Sequence, residues 1–547
     1  MSIKAFSLMI CIILYGPVVS SARTKDDVPR LMHGLGDVHH PVSTTNRQAQ
    51  EFFDQGLRLV YGFNHDEARR AFQRAGELDP KLAMAWWGVA LTLGPNYNLP
   101  VDPEREKAAY DAVQRALALQ DSASEPERGY INALATRYSN NPHPDLHALD
   151  LAYKDAMAKL VARYPDDLDA VTLYAESMMN LNPWKLWTPD GKPAEGTEEI
   201  VATLESVLKR DPNHLGANHY YIHAVEASPN PERALPSAAR LEKLAPAAGH
   251  LVHMPAHIYA RVGDHLASAH CNQLAATADK KCFAQTHEQG VYPLMYNSHN
   301  LHFLAYASCM RGDFAQAKSA AAKLTGNVAP AIKQMPMLEG FLPTPLIVLF
   351  AFERWDDILK SPAPDPSLLI TNAVWHSLRG LAFGNTGSAI EAKKEQQAFA
   401  EIAAKIPPDT MYDQLNKTAA VFKIHEHLLN AAIAHSRHEE KSAIEQLKQA
   451  VAAEDVLNYS EPPAWYPPVR STLGRLLLAN NQPADAENVF RADLDRSPRD
   501  GRALSGLRDA LKTQHRQYEA DQIDRQFRAA WKSAGAERRT TRSAVTE

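Results

Sequence analysis

From Ala49 to Pro80 the chain sets bulky and small apolar residues at helical spacings: Phe52 and Gly56, then Ala68, Phe72 and Ala75, with polar residues between them. Apolar positions that return every three to four residues predict amphipathic helices, and no segment alternates with the period of two that a half-buried strand requires. Gly62-Phe63-Asn64 interrupts the pattern as an inter-helix turn, and Pro80, with no N–H and a fixed φ, closes the second helix. The same punctuation returns downstream. Pro165, Pro212, Pro246 and Pro498 each close a helix. Gly263-Asp264, Arg311-Gly312-Asp313-Phe314 with Ala317, and Gly387 with Ala392 mark further turns. Gly474, Ala486, Phe490 and Pro498 form another well-matched pair of helices, and Trp86 takes the place of Phe52 one unit on.

These spacings match positions 4, 8, 20, 24, 27 and 32 of a 34-residue helix–turn–helix unit, and the chain resembles the tetratricopeptide repeat superfamily. The resemblance covers roughly residues 46–515, with insertions near 95–125, 183–198 and 279–296. It implies an all-α fold, a right-handed α-solenoid in which each pair of helices buries its apolar faces on its neighbours. It also implies a concave groove lined by positions 2, 5, 9 and 12 of each first helix. In this superfamily the groove usually holds a peptide, so a peptide or protein partner is one expectation.

The length of 547 residues exceeds one compact core, and the repeat frame turns the several domains it would otherwise suggest into one array. With 45% hydrophobic and 22% charged residues, a multi-span membrane protein and a disordered chain are excluded. A net charge of −6 offers no basic field for phosphate backbones, so no nucleic-acid partner is expected. Residues 1–22 read as a secretory signal, with Lys4, an apolar run from Phe6 to Tyr15 and a small-residue site at Ser20-Ser21-Ala22. The predicted address is therefore periplasmic or secreted, with no membrane span once the signal is removed. Residues 23–45 form an N-terminal arm, and 516–547 a C-terminal helix with a frayed polar tail from Gly535. Of the cysteines beyond the signal, Cys271 and Cys282 are the closer pair for a disulfide, and Cys309 reads as a buried thiol.

Histidine is where the composition stands out. Eleven of 23 histidines fall between His214 and His302, and the repeat frame orders them. His219 and His223 take positions 5 and 9 of one first helix, His250, His253 and His257 positions 2, 5 and 9 of the next, and His299 and His302 positions 2 and 5 of the third. Spacings of three, four and seven residues put each set on one helix face. Adjacent helices pack roughly 10 Å apart, so imidazoles from neighbouring rows can converge. All seven are candidate metal ligands.

Seven imidazoles exceed the four ligands of one tetrahedral zinc, which predicts two or more ions. Carboxylates, which bridge most di-zinc and di-iron sites, are sparse in the same register. Imidazole-rich ligation and export both suit copper, with zinc or iron as alternatives. The set is similar in style to the ligands of coupled dicopper oxidases, which implies oxidase or oxygenase chemistry. A pH-sensing or merely polar groove, a peptide-binding scaffold and a metal-holding or delivery protein are the competing readings.

Further candidates accompany the histidines. Glu226, one turn beyond His223, and Tyr306, at position 9 of the third helix, are placed to act on a bound species. Glu176, Tyr259, Trp465 and Arg470 are candidate contacts to a small-molecule or peptide ligand, with Glu461 beside Arg470. His40 is a candidate cap on the groove from the N-terminal arm, and His65 a turn residue. His376, His425, His427, His435 and His438 fall out of register and are expected at the surface.

Overall fold

The structure is a computed structural model and describes residues 28–532; the signal segment and the tail from Gly535 lie outside the described residues. Helices dominate and no β-strand occurs among those residues. The chain divides into two compact units, one running to Trp184 together with Ala202–Val207, the other Lys185–Val201 together with the chain from Leu208.

The first unit holds α1 (Arg47–Tyr61), α2 (His65–Leu78), α3 (Ala83–Leu93), α4 (Pro103–Ala118), α5 (Glu125–Ala135), α6 (Leu146–Arg163) and α7 (Leu168–Met179). After α8 (Thr197–Arg210), whose residues divide between the units, the second holds α9 (Leu215–Val225), α10 (Leu235–Leu244), α11 (Gly249–His253), α12 (Pro255–Arg261), α13 (His265–Thr286), α14 (Asn297–Met310) and α15 (Phe314–Val328). It continues through α16 (Thr344–Ala351), α17 (Trp355–Leu359), α18 (Leu369–Asn385), α19 (Ala389–Ala403), α20 (Thr418–Ser436) and α21 (Glu440–Asp455). The last pairs are α22 (Val469–Ala479) with α23 (Pro483–Arg496), and α24 (Gly501–Thr513) with α25 (Gln517–Ala530). Each unit is thus an all-α array of successive, mutually packed helix pairs.

Local chemistry sets the helix ends. Asn46, Asn64, Asp102, Asp145, Asp167, Asp264 and Asp313 cap helix starts by accepting from backbone N–H groups of the first turn. Gly263 and Gly312 carry φ of 77° in the turns before α13 and α15, the left-handed conformation that glycine adopts without strain. Packing between pairs depends on glycine for a different reason. Phe72 is fully buried between Gly56 and Gly88, where an added Cβ would come within 2.6 and 2.5 Å of its ring. Phe490 sits between Gly474 and Gly506 in the same way, at 2.5 and 2.1 Å.

Two expectations change. The insertion near 95–125 contains α4, which packs on α3 as an ordinary second helix. Cys271 and Cys282 share α13 and form no disulfide with each other. Eleven residues of α-helix separate Cα atoms by about 16 Å, whereas a disulfide needs roughly 4.4–6.8 Å, so this pair cannot close. No helix among the described residues is long and apolar enough to cross a membrane.

Gly506→Ala is expected to destabilise the C-terminal pairs by about 1–3 kcal/mol, because Phe490 is caged and cannot yield. Urea unfolding followed by far-UV circular dichroism measures this; an unchanged midpoint would contradict the packing.

Candidate metal centre

The histidine rows converge within the second unit. The ligand atoms of His219, His223 and His250 lie within 4.8 Å of one another, and those of His253, His257 and His299 form a second trio by the same measure. The trios adjoin, with ring centroids 5.8 Å apart for His250 and His253 and again for His223 and His257.

The backbone explains the approach. α9 presents His219 and His223 one turn apart, with centroids separated by 4.9 Å. The next first helix is broken between α11 and α12, because Pro255 has no N–H to continue the ladder. His257 N–H instead donates to Met254 O, three residues back, at 3.2 Å. This tighter turn leaves His253 Nε2 and His257 Nε2 only 2.7 Å apart. His219 and His250 meet across helices with Nε2 atoms 3.1 Å apart. The supposed insertion at 279–296 belongs to the centre. α13 continues to Thr286, and a π-helical turn at Tyr292–Tyr296 leads into α14. From that turn Tyr292 OH accepts from His250 N–H at 3.1 Å, and Tyr296 lies edge-on to the His250 ring at 5.0 Å.

Outer partners fix which nitrogen faces inward. His223 Nδ1–H donates to Glu226 Oε1 at 2.9 Å. His253 Nδ1–H donates to Asn272 Oδ1 at 2.7 Å, and Asn272 Nδ2 donates to Ser268 O at 2.9 Å, which sets the orientation of the amide. His257 Nδ1 lies 2.6 Å from Glu226 Oε2 and 2.7 Å from Glu461 Oε2, as close ion pairs bent from hydrogen-bond alignment. Carboxylates that accept at Nδ1 hold the proton there and direct the Nε2 lone pair to the centre, the arrangement common behind metal-bound histidine. Arg261 positions Glu226 by donating to its carbonyl at 2.9 Å and to Ser228 O at 3.2 Å.

Two Nε2 lone pairs facing each other at 2.7 Å need a cation between them. Without a metal, a proton serves. Burial depresses His257, but Glu461 and Glu226 outweigh it and raise its pKa to about 10. Burial would raise Glu226, yet His257 and His223 bring it down to about 2. Burial and crowding by neighbouring imidazoles push His250, His253 and His299 well below the usual range, so they are neutral and hold lone pairs at neutral pH. The donor set therefore fits transition-metal ions, three imidazoles to each of two positions. Glu226, His257 and Glu461 form a competing trio on the Nδ1 side.

Other candidates separate from the centre. His302 joins neither trio. Three residues beyond His299 it is rotated about 60° round α14, and its ring faces Phe341 at 5.6 Å and Tyr466 at 6.2 Å. Tyr306 packs on Tyr466 at 5.1 Å and lines a cavity with Phe303. Tyr259, two residues past His257, turns to the opposite side of α12, where Glu242, Cys271 and Asp264 act on it. Arg470 does not join Glu461 but forms a two-pronged salt bridge with Asp455 at 2.7 and 2.6 Å. Trp465 is buried edge-on against His425, 4.9 Å away. His425 is not a surface residue: α20 packs on α18, and His425 Nδ1 pairs with Ser377 Oγ at 2.8 Å. Glu176 belongs to the first unit, bonded to Asn180 and under the field of Arg137. His40 is also there, bonded to Asp169 at 2.8 Å. Asn272 comes from a second helix, and Tyr292 and Tyr296 from the π-helical turn, neither of which the register of first helices describes.

The depressed imidazoles make the metal-free fold acid-sensitive. Below pH 6.5 the unfolded chain takes protons that native His250, His253 and His299 refuse, so stability falls with pH by up to about 1.4 kcal/mol per unit for each such group. His257 acts oppositely, its stabilisation being complete below pH 6.5 and lost as pH rises through about 10. The melting temperature of metal-free protein is expected to drop between pH 7.5 and 5.5, and the drop to shrink in His250→Gln/His299→Gln. A flat profile in the parent protein would contradict the buried, neutral cluster.

No family model matches the chain, and no curated protein matches it. Among solved structures the chain is similar to yeast Tom70 at 10% identity and TM-score 0.30, covering 87% of this chain and 90% of that one. It is also similar to the APC/C hetero-tetramer Cut9–Hcn1 at 16% identity and TM-score 0.32, covering 85% and 76%. A human IFIT1 dimer with m7Gppp-AAAA follows at 12% identity and TM-score 0.33, covering 82% and 90%.

Proposed function

We propose that this protein is an exported metalloprotein whose second unit binds two copper ions, one per histidine trio, and that it acts as an oxidoreductase on dioxygen and a small substrate. The observation that carries this reading is the pairing of two adjacent three-histidine groups, in which His223, His253 and His257 hold Nδ1 to outer partners and turn Nε2 inward. Three protein ligands per ion leave a coordination position open, the pattern of catalytic sites more than of closed structural ones. All-imidazole ligation favours copper over the carboxylate-bridged pairs of zinc or iron. Copper pairs of this kind supply redox chemistry with dioxygen; the chain's own residues set orientation and protonation. Glu226 ties His223 to His257 and so couples the two trios. Glu461 is raised to about 7 by burial against the pull of His257, which makes it a proton acceptor or donor near neutrality. A metal-holding role without turnover uses the same ligands and differs only in lacking substrate chemistry.

Elemental analysis after reconstitution with copper, zinc and iron is expected to find two copper ions per chain. His219→Ala/His250→Ala should reduce this to about one with helical content unchanged. Copper-dependent oxygen uptake in the presence of a reductant should accompany the two-ion form and disappear in the variant. Failure to retain any transition metal ends the metal reading; retention without oxygen uptake leaves the holding role.

A further inference from the structure

A cavity of about 190 Å³ lies beside the histidine centre. Phe303, whose ring is 5.1 Å from His257, lines it, as does Glu461, which contacts His257 Nδ1 at 2.7 Å. Tyr306, Trp465, His265 and Tyr459 also line it. The volume is below the roughly 300–1,000 Å³ of sites for drug-sized ligands, so an occupant is small.

Three of these side chains bury polar atoms that meet no protein partner: both ring nitrogens of His265, Trp465 Nε1 and the Tyr459 hydroxyl. His265 and Trp465 are only 5% and 6% exposed. Native interiors satisfy nearly all such groups, and several left open around one cavity point to something that completes them. The donor pattern restricts what that is. Trp465 only donates, a tyrosine hydroxyl does both, and a neutral imidazole offers one donor and one acceptor. Burial, helped by Arg502 and Arg499, lowers His265 to about 4 and keeps it neutral. Hydroxyl groups, which donate and accept, match this set, whereas a bare carboxylate cannot donate to the open acceptor of His265. Phe303 and Tyr306 add aromatic surface that suits a flat apolar body, while Arg261, Arg470 and Arg496 with Glu454 and Asp493 make up the polar part of the lining.

We infer that this cavity binds a small neutral molecule, one ring in size, carrying hydroxyl groups that complete Trp465, Tyr459 and His265. The assignment does not require metal in the histidine trios. It places a hydroxylated ring against Glu461 and Phe303, next to the proposed copper site.

The test is equilibrium binding of phenol to the metal-free full chain, with toluene and benzoate as controls, read by ligand-observed NMR and calorimetry. Phenol is expected to bind saturably in the millimolar range, with toluene and benzoate at least about tenfold weaker. Tyr459→Phe, which keeps the ring and removes only the hydroxyl, and Trp465→Phe, which removes the indole N–H together with part of the ring, should each weaken phenol by about three- to tenfold. If one variant does not fold, the other reads the same quantity. Equal binding of toluene, preference for benzoate, or no saturable binding because water alone fills the cavity would each overturn the assignment. Phenol binding in metal-free protein that never loads copper would sustain this site while the copper reading fails.

Discussion

One carboxylate, Glu226, governs the centre. It accepts from His223 at one oxygen and faces His257 at the other, so two first helices are tied through a single buried charge. An isolated carboxylate in that position would be costly to bury, and the imidazole protons are what make it tolerable. In return Glu226 fixes the tautomers that turn both Nε2 lone pairs inward. The break at Pro255 then brings His253 within 2.7 Å of His257. Lone pairs pressed together so closely are unstable without a cation, and the site is defined by that requirement.

The solenoid supplies the rest by repetition. First helices of stacked pairs pack roughly 10 Å apart, so a histidine at the same register in successive units can meet its counterparts. Second helices add what the first cannot. Asn272 on α13 secures His253, and Asp279, packed against Gly249 at the start of α11, accepts from Asn300 beside His299 at 2.8 Å. Glycine and aromatic packing elsewhere keeps the pairs from sliding, since Phe72 and Phe490 leave no room for a Cβ on either side.

Much of this was legible in the sequence. Closing prolines, turn glycines and aromatic–small spacings define helix ends and pairing because they act locally. Register alone brought six of seven histidines to the centre. His302 lies outside both trios because its ring is taken up by Phe341 and Tyr466, which come from later in the chain and leave no mark on the local spacing. The Cys271–Cys282 pairing failed because nearness in sequence along one helix is distance in space. His425 and Arg470 failed for a shared reason: their partners, Ser377 and Asp455, come from neighbouring helices and leave no trace in local spacing. Glu461 was paired with Arg470 in sequence, but the loop that carries it reaches His257 instead.

The central claim is that two cations sit on the Nε2 side of the two trios. Anomalous X-ray diffraction at the copper edge on copper-loaded crystals tests it most directly. Two peaks are expected, one among His219, His223 and His250 and one among His253, His257 and His299. A single peak on the Nδ1 side, among Glu226, His257 and Glu461, or no peak at all, would contradict it.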